Sequence, residues 1–162
     1  GIAMLHANFA VGDLSNLAAM QRHAGHVLHA LDPAEGARGP GLGFGLIRAA
    51  EGVATHVELA AGADGASASL RRHAQHVATV ARTVAERAEE AAAVARRLQA
   101  APSIRRASPL VAELRLLTYQ LVEGVDSNGD GQLSLEGEAG TQQLEAHVYL
   151  LLKGEGLPRM LR

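Results

Sequence analysis

His23-Ala24-Gly25-His26-Val27 returns further along the chain as His73-Ala74-Gln75-His76-Val77, and a further histidine, His6 or His56, stands upstream of each copy at the same interval. The same offset pairs Ala10 with Ala60, Gly12 with Gly62 and Arg22 with Arg72, so the agreement marks a duplicated unit. Apolar residues around each copy recur every three or four positions: Leu17, Met20, Ala24, Val27 and Leu31 in the first, and Leu70, His73, Val77, Val80 and Val84 in the second. That is the stripe of an amphipathic helix. Gly12 and Gly62 break the chain between the lone histidine and the pair. Each unit therefore reads as an antiparallel helical hairpin, with His6 facing His23 and His56 facing His73.

Outward from the repeat, every periodic segment is helical. Residues 2–11 place Ile2, Leu5, His6 and Phe9 on one face, and further helices are expected over 14–31 and 46–61. Ser67 or Ser69 can cap a long helix reaching about residue 100, whose second half of Ala, Arg and Glu reads as a largely solvated face. Ser108-Pro109 has the form of a helix start, with Ser as cap and Pro in the first turn, for a helix ending near Glu123. A final helix is expected over 139–153. Gly39-Pro40-Gly41-Leu42-Gly43-Phe44-Gly45, inside a Gly- and Pro-rich connection over 33–45, lacks the Gly-Lys-Ser/Thr ending and the preceding strand of a phosphate loop. No segment alternates with period two. The expected architecture is all-α: an antiparallel four-helix bundle of two repeated hairpins over residues 1–101, and a helix-loop-helix over 102–162 packed on it in one compact domain.

Composition narrows the function. A chain of 162 residues with 48% hydrophobic content can bury one core. Aromatics are 2% and Trp is absent, so the core must be Ala, Leu and Val. A net charge of −2 gives no electrostatic case for nucleic acid or an anionic membrane. No apolar run approaches the roughly 18 residues that would insert into a membrane. Without cysteine, disulfides, Cys-zinc sites, iron–sulfur clusters and c-type haem attachment are excluded. No signal peptide is visible from Gly1, as would also hold for a processed chain.

Histidine, with 8 residues, is the unusual component. His23 and His26, like His73 and His76, are one turn apart on one side of a helix. Each hairpin thus offers one histidine from its first helix and a His-x-x-His pair from its second. The layout is similar to that of ferritin-like di-iron bundles, which use a Glu on each of two helices and a Glu-x-x-His on each of the others. The similarity is of layout only, because all six positions here are histidine. The expectation is that His6, His23, His26, His56, His73 and His76 converge on one or two transition-metal ions, copper, zinc, iron or nickel, for storage, delivery or sensing. His147, on an apolar face with Leu144 and Leu151, is a secondary candidate. His29 faces Thr79 under the repeat and reads as a non-ligand. Two alternatives use the same residues. One is a b-type haem electron carrier with bis-His ligation, Ala24, Gly25 and Ala74 leaving room for the porphyrin. The other is a dinuclear all-His oxygen-binding protein or oxidase. No Ser/His/Asp or paired-carboxylate constellation supports another enzyme, so the reading leans to a binding protein.

Residues 126–138 carry the second chemistry. In Asp126-Ser127-Asn128-Gly129-Asp130-Gly131-Gln132-Leu133-Ser134, alternate residues aim side-chain oxygens at one point, and calcium takes six to eight oxygens. Gly131 permits the sharp turn, Gln132 offers its carbonyl, Ser134 its hydroxyl, and Leu133 is expected to anchor the loop in the core. The stretch resembles the front of an EF-hand loop, including the single-loop bacterial versions. The resemblance implies a bidentate Glu at the twelfth position, where Gly137 stands, so Glu136 or Glu138 must close the loop. The expected ligands are Asp126, Asn128, Asp130, Gln132, Ser134, Glu136 and Glu138. A modest calcium site of this kind suits a periplasmic or secreted setting, and a purely structural calcium module is a further alternative.

Overall fold

A computed structural model of the chain describes residues 1–35 and 38–157; residues 36 and 37 of the Gly- and Pro-rich connection, and the tail 158–162, lie outside the described residues. The fold is all-α. Six helices follow in order: α1 Ile2–Gly12, α2 Leu17–Leu31, α3 Leu46–Gly62, α4 Ala68–Gln99, α5 Ile104–Glu123 and α6 Thr141–Gly154, with no strand among the described residues. None of these helices is long and apolar enough to cross a membrane.

The chain gathers into two compact units. Unit 1 comprises Gly1–Ala49 and Glu86–Val122, and unit 2 comprises Ala50–Ala85 with the chain from Glu123 onward. The line between them crosses α3 and α4.

In unit 1, α1 and α2 pack as an antiparallel hairpin across the short link at 13–16. The face that α1 buries is Ala3, Ala7 and Ala10, while Ile2, Leu5 and Phe9 are exposed. The apolar stripe expected on this helix was thus the wrong face, because small alanines let two helix backbones approach more closely than Leu or Phe allow. Alanine also overturns the expectation for the second half of α4. Ala88, Ala91, Ala92, Val94, Ala95 and Leu98 are buried there, so that half is core and not a solvated face. Against it α5 buries Ala107, Val111, Leu114, Thr118 and Leu121. That helix begins at Ile104 and not at Ser108, so Pro109 lies inside it. Ser103 takes the capping role, its carbonyl accepting from the N–H groups of Arg106 and Ala107. Pro109 lies past the first turn, so the helix gives up one i to i−4 bond there, the one to the Arg105 carbonyl.

In unit 2, α3 and the first half of α4 meet through Ala54, Ala78 and Ala81, with Val53, Val57 and Leu144 of α6 packed around them. Arg82 reaches back from α4 to Glu58 on α3 at 2.6 Å. Of the two serines proposed as the cap of α4, Ser67 does it, its Oγ accepting from the Leu70 N–H at 2.8 Å. Ser67→Ala should lower stability by about 1 kcal/mol in thermal or urea unfolding, the usual worth of such a cap.

Candidate metal centre

His6 stands on α1 between the buried Ala3 and Ala7, and His23 and His26 occupy adjacent turns of α2. Two contacts fix α2 where it must be. The Gln21 side-chain amide donates to the carbonyls of Gln99 and Ala101 at 3.0 Å each, satisfying acceptors that the end of α4 leaves open. Gly25, between the two histidines, lies so close to Gln99 that a Cβ there would stand 2.7 Å from the Gln99 amide nitrogen. The room that Gly25 was expected to leave for a porphyrin is therefore filled by a side chain.

The result is a convergence of three ring nitrogens. Nδ1 of His6 is 3.0 Å from Nδ1 of His23 and 3.3 Å from Nδ1 of His26. One ligand nitrogen from each residue lies within 4.8 Å of the others, and this is the one such group of three metal-ligating side chains among the described residues. Hydrogen bonding does not account well for the arrangement. A neutral imidazole Nδ1 carries either one N–H or one lone pair, so His6 can make one good hydrogen bond with its two neighbours, not two. Three nitrogens bound to one ion at about 2.0–2.1 Å would stand roughly 3 to 3.5 Å apart, and both separations from His6 Nδ1 fall in that range.

Surroundings disfavour the charged form of His6 and His23. Burial, and then the charged forms of His26 and His23, hold the His6 pKa below its ordinary 6.5. Burial comes first for His23 too, followed by Arg22 and His26, with Asp13 opposing. Phe9 packs against both His6 and His23, with ring centroids at 5.4 and 5.5 Å, and shields one side of the trio.

The remaining histidines fall elsewhere. His56, expected to be the counterpart of His6, is exposed on α3. His73 and His76 lie in unit 2 with His147, whose ring is 5.5 Å from that of His76. Nδ1 of His29 is buried without a hydrogen-bond partner, beside Gly39.

In the loop between α5 and α6, the acidic and amide side chains turn to the loop's own backbone. Asp126 accepts from the N–H groups of Gly129, Asp130 and Gly131, Asn128 from Asp130, and Asp130 from Gln132, at 2.7–3.2 Å. Gly131 makes its turn at φ +80°. Of the two glutamates expected to close the loop, Glu138 is turned inward and buried while Glu136 is exposed. Glu138 Oε1 accepts from the Ser127 N–H and hydroxyl and from the Asn128 N–H, and Oε2 from the Ser134 N–H. The Ser134 hydroxyl donates to the Glu136 carbonyl. Leu133 is exposed and is not the anchor expected of it. Thr83 serves instead, donating to the Leu135 carbonyl at 3.1 Å and accepting from the Gly137 N–H at 3.0 Å. A buried threonine between Val80 and Val84 was the sequence signal, and it is a weak one.

The Ser134 N–H, followed by the Ser127 hydroxyl, holds Glu138 down to about 2 from an ordinary 4.5, against the opposing effect of burial. Its folded pKa is depressed, so its contribution to stability is complete above pH 4.5 and is lost as pH falls towards 2. Glu138→Gln should therefore flatten the fall in urea midpoint over that range, whereas Glu136→Gln should leave it unchanged.

Compared with known proteins, the chain matches no family model, no curated protein and no solved structure.

Proposed function

We propose that this is a transition-metal-binding protein whose ion is held by His6, His23 and His26. The observation that carries the reading is the pair of Nδ1 separations, 3.0 and 3.3 Å, which fit an ion and exceed what hydrogen bonding among three imidazoles requires. Imidazole nitrogen suits copper, zinc, nickel or iron rather than magnesium or manganese. Three protein ligands leave a coordination position for water or an incoming ligand, which suits delivery or sensing better than permanent structural retention. The bundle we propose around it is the duplicated antiparallel hairpin.

The haem alternative draws less support. Axial nitrogens on opposite sides of one iron would stand about 4 Å apart at ordinary metal–nitrogen bond lengths, and Gln99 fills the space at Gly25. A dinuclear all-His centre would need more ligands than this trio supplies. The test is metal content. Protein purified without a His-tag, loaded with zinc and passed through gel filtration, should retain zinc, and His23→Ala should retain one equivalent less. Loss of all zinc by the unaltered protein on the column would end the proposal.

A second reading concerns the loop at 126–138. We propose calcium there in an EF-hand-like site, on the strength of the inward-turned, ionised Glu138 and of Asp126, Asn128 and Asp130 at alternate positions. Asp126 Oδ2 and Asp130 Oδ1 each accept a single backbone bond, from Gly131 and Gln132, and keep a second lone pair for an ion. Binding to the folded state alone stabilises by about 2.7 kcal/mol at a hundredfold excess over Kd. Thermal melts with calcium and with chelator should differ, and Asp126→Ala combined with Asp130→Ala should abolish the difference. Coincident melts for the unaltered protein would leave the loop as a self-capped turn. A periplasmic or secreted location goes with this second reading.

A further inference from the structure

Unit 2 contains a second group of histidines whose membership the repeat does not foretell. His73 and His76, the counterparts of His23 and His26, lie on α4, and the ring against His76 belongs to His147 of α6. The His76 and His147 rings meet edge to face at 80°, and those of His73 and His76 at 86° with centroids 6.3 Å apart. Two observations set this group apart from packing histidines. First, Nδ1 of His73 and Nδ1 of His147 are both buried and find no hydrogen-bond partner. Buried polar atoms in folded proteins nearly always have one, and two orphaned nitrogens in a single cluster are the atoms a bound ion would satisfy. Secondly, α6 is held firmly along α4. Leu144 packs on Ala78 and Ala81, a Cβ on Gly154 would collide with the Ser69 hydroxyl and lie 3.8 Å from His73 Cδ2, and the Ser67 hydroxyl donates to Glu155 at 2.5 Å. The two helices thus run antiparallel with His147 fixed opposite the His73–His76 pair.

We propose that His73, His76 and His147 form a second site for a divalent transition-metal ion of the zinc, copper or nickel type, separate from the His6 trio and without His56. The duplicated hairpin keeps its His-x-x-His pair, but the third ligand comes from α6, because the first helix of the second hairpin presents its histidine to solvent. The two sites differ in readiness. Ring centroids in the first trio lie 4.6 to 5.7 Å apart, and His73 stands further from His76 than any of these. An ion must draw the His73 ring inward, so the second site binds more weakly than the first. Burial, and then the charged forms of His76 and His73, lower the His147 pKa, which keeps that ring a neutral donor.

Isothermal titration of the untagged chain with zinc tests this. Two equivalents are expected, the tighter one absent in His23→Ala and the weaker one absent in His147→Ala, with both retained in His56→Ala. Zinc binding removed by His147→Ala but not by His23→Ala would uphold this site and overturn the first. A single equivalent in the unaltered protein that His147→Ala leaves in place, two equivalents in His147→Ala, or loss of the weaker one in His56→Ala would overturn the proposal. Should His147→Ala fail to fold, zinc titration of the unaltered protein followed by imidazole nitrogen resonances decides. Shifts at His73, His76 and His147 uphold the site, and unmoved resonances there overturn it.

Discussion

Zinc affinity is expected to fall at least about a hundredfold in His23→Ala, equivalent to about 2.8 kcal/mol at 1.4 kcal/mol per tenfold change. The change removes one of three ligands, and His6 Nδ1 loses its nearer neighbour, at 3.0 Å. His29→Ala, within the same helix but outside the trio, should leave affinity unchanged. The pH dependence follows from the lowered pKa values. Protons compete with the metal only once the rings charge, and His6 and His23 do so below their ordinary 6.5. The proton competition that His6 and His23 contribute should therefore set in only below pH 6.5. The metal-free protein follows the same sign. Between pH 6.5 and the lowered folded values the unfolded chain binds more protons, so stability is complete above pH 6.5 and declines on acidification through that window.

Leu114→Ala is expected to destabilise the fold by about 2–5 kcal/mol, the range for emptying a buried leucine site. Leu114 is fully buried on α5. With aromatics at 2% the core has few large side chains, and alanine neighbours on rigid helices cannot collapse into the space. Leu116→Ala, on the exposed side of the same helix, should change stability by less than about 0.5 kcal/mol. Urea unfolding of the two variants compares them directly, and equal losses would mean that α5 packs by a different face.

The repeat was enough to read the all-α class and the hairpin that brings His6 to His23 and His26, because the 17-residue interval crosses one short turn. The second hairpin shows where the reading stopped. His56 sits at the same register as His6, yet it is exposed, since α3 buries Ala50 and Ala54 rather than the side that carries His56. His147 carried only a faint signal, an apolar face shared with Leu144. What places it beside His76 is the packing of α6 along α4, a long-range contact that no local pattern encodes. The same kind of failure hid the alanine faces of α1 and α4, because alanine reads as neutral in a periodicity and becomes core only when another helix comes close enough. At Ser108-Pro109 a good local start signal lost to the buried stripe from Ala107 to Leu121, which needs the earlier turn. The loop at 126–138 was legible in its front half, where Asx spacing dictates local turns. That Glu138 rather than Glu136 turns inward was not legible there, and the back of the loop is tied to Thr83, distant in sequence.

Anomalous diffraction from zinc-loaded crystals tests the central claim most directly. The account predicts a zinc peak bonded to the Nδ1 atoms of His6, His23 and His26 at about 2.0–2.1 Å from each. Loaded crystals with no zinc at that point, or with these three rings turned apart to solvent, would contradict it.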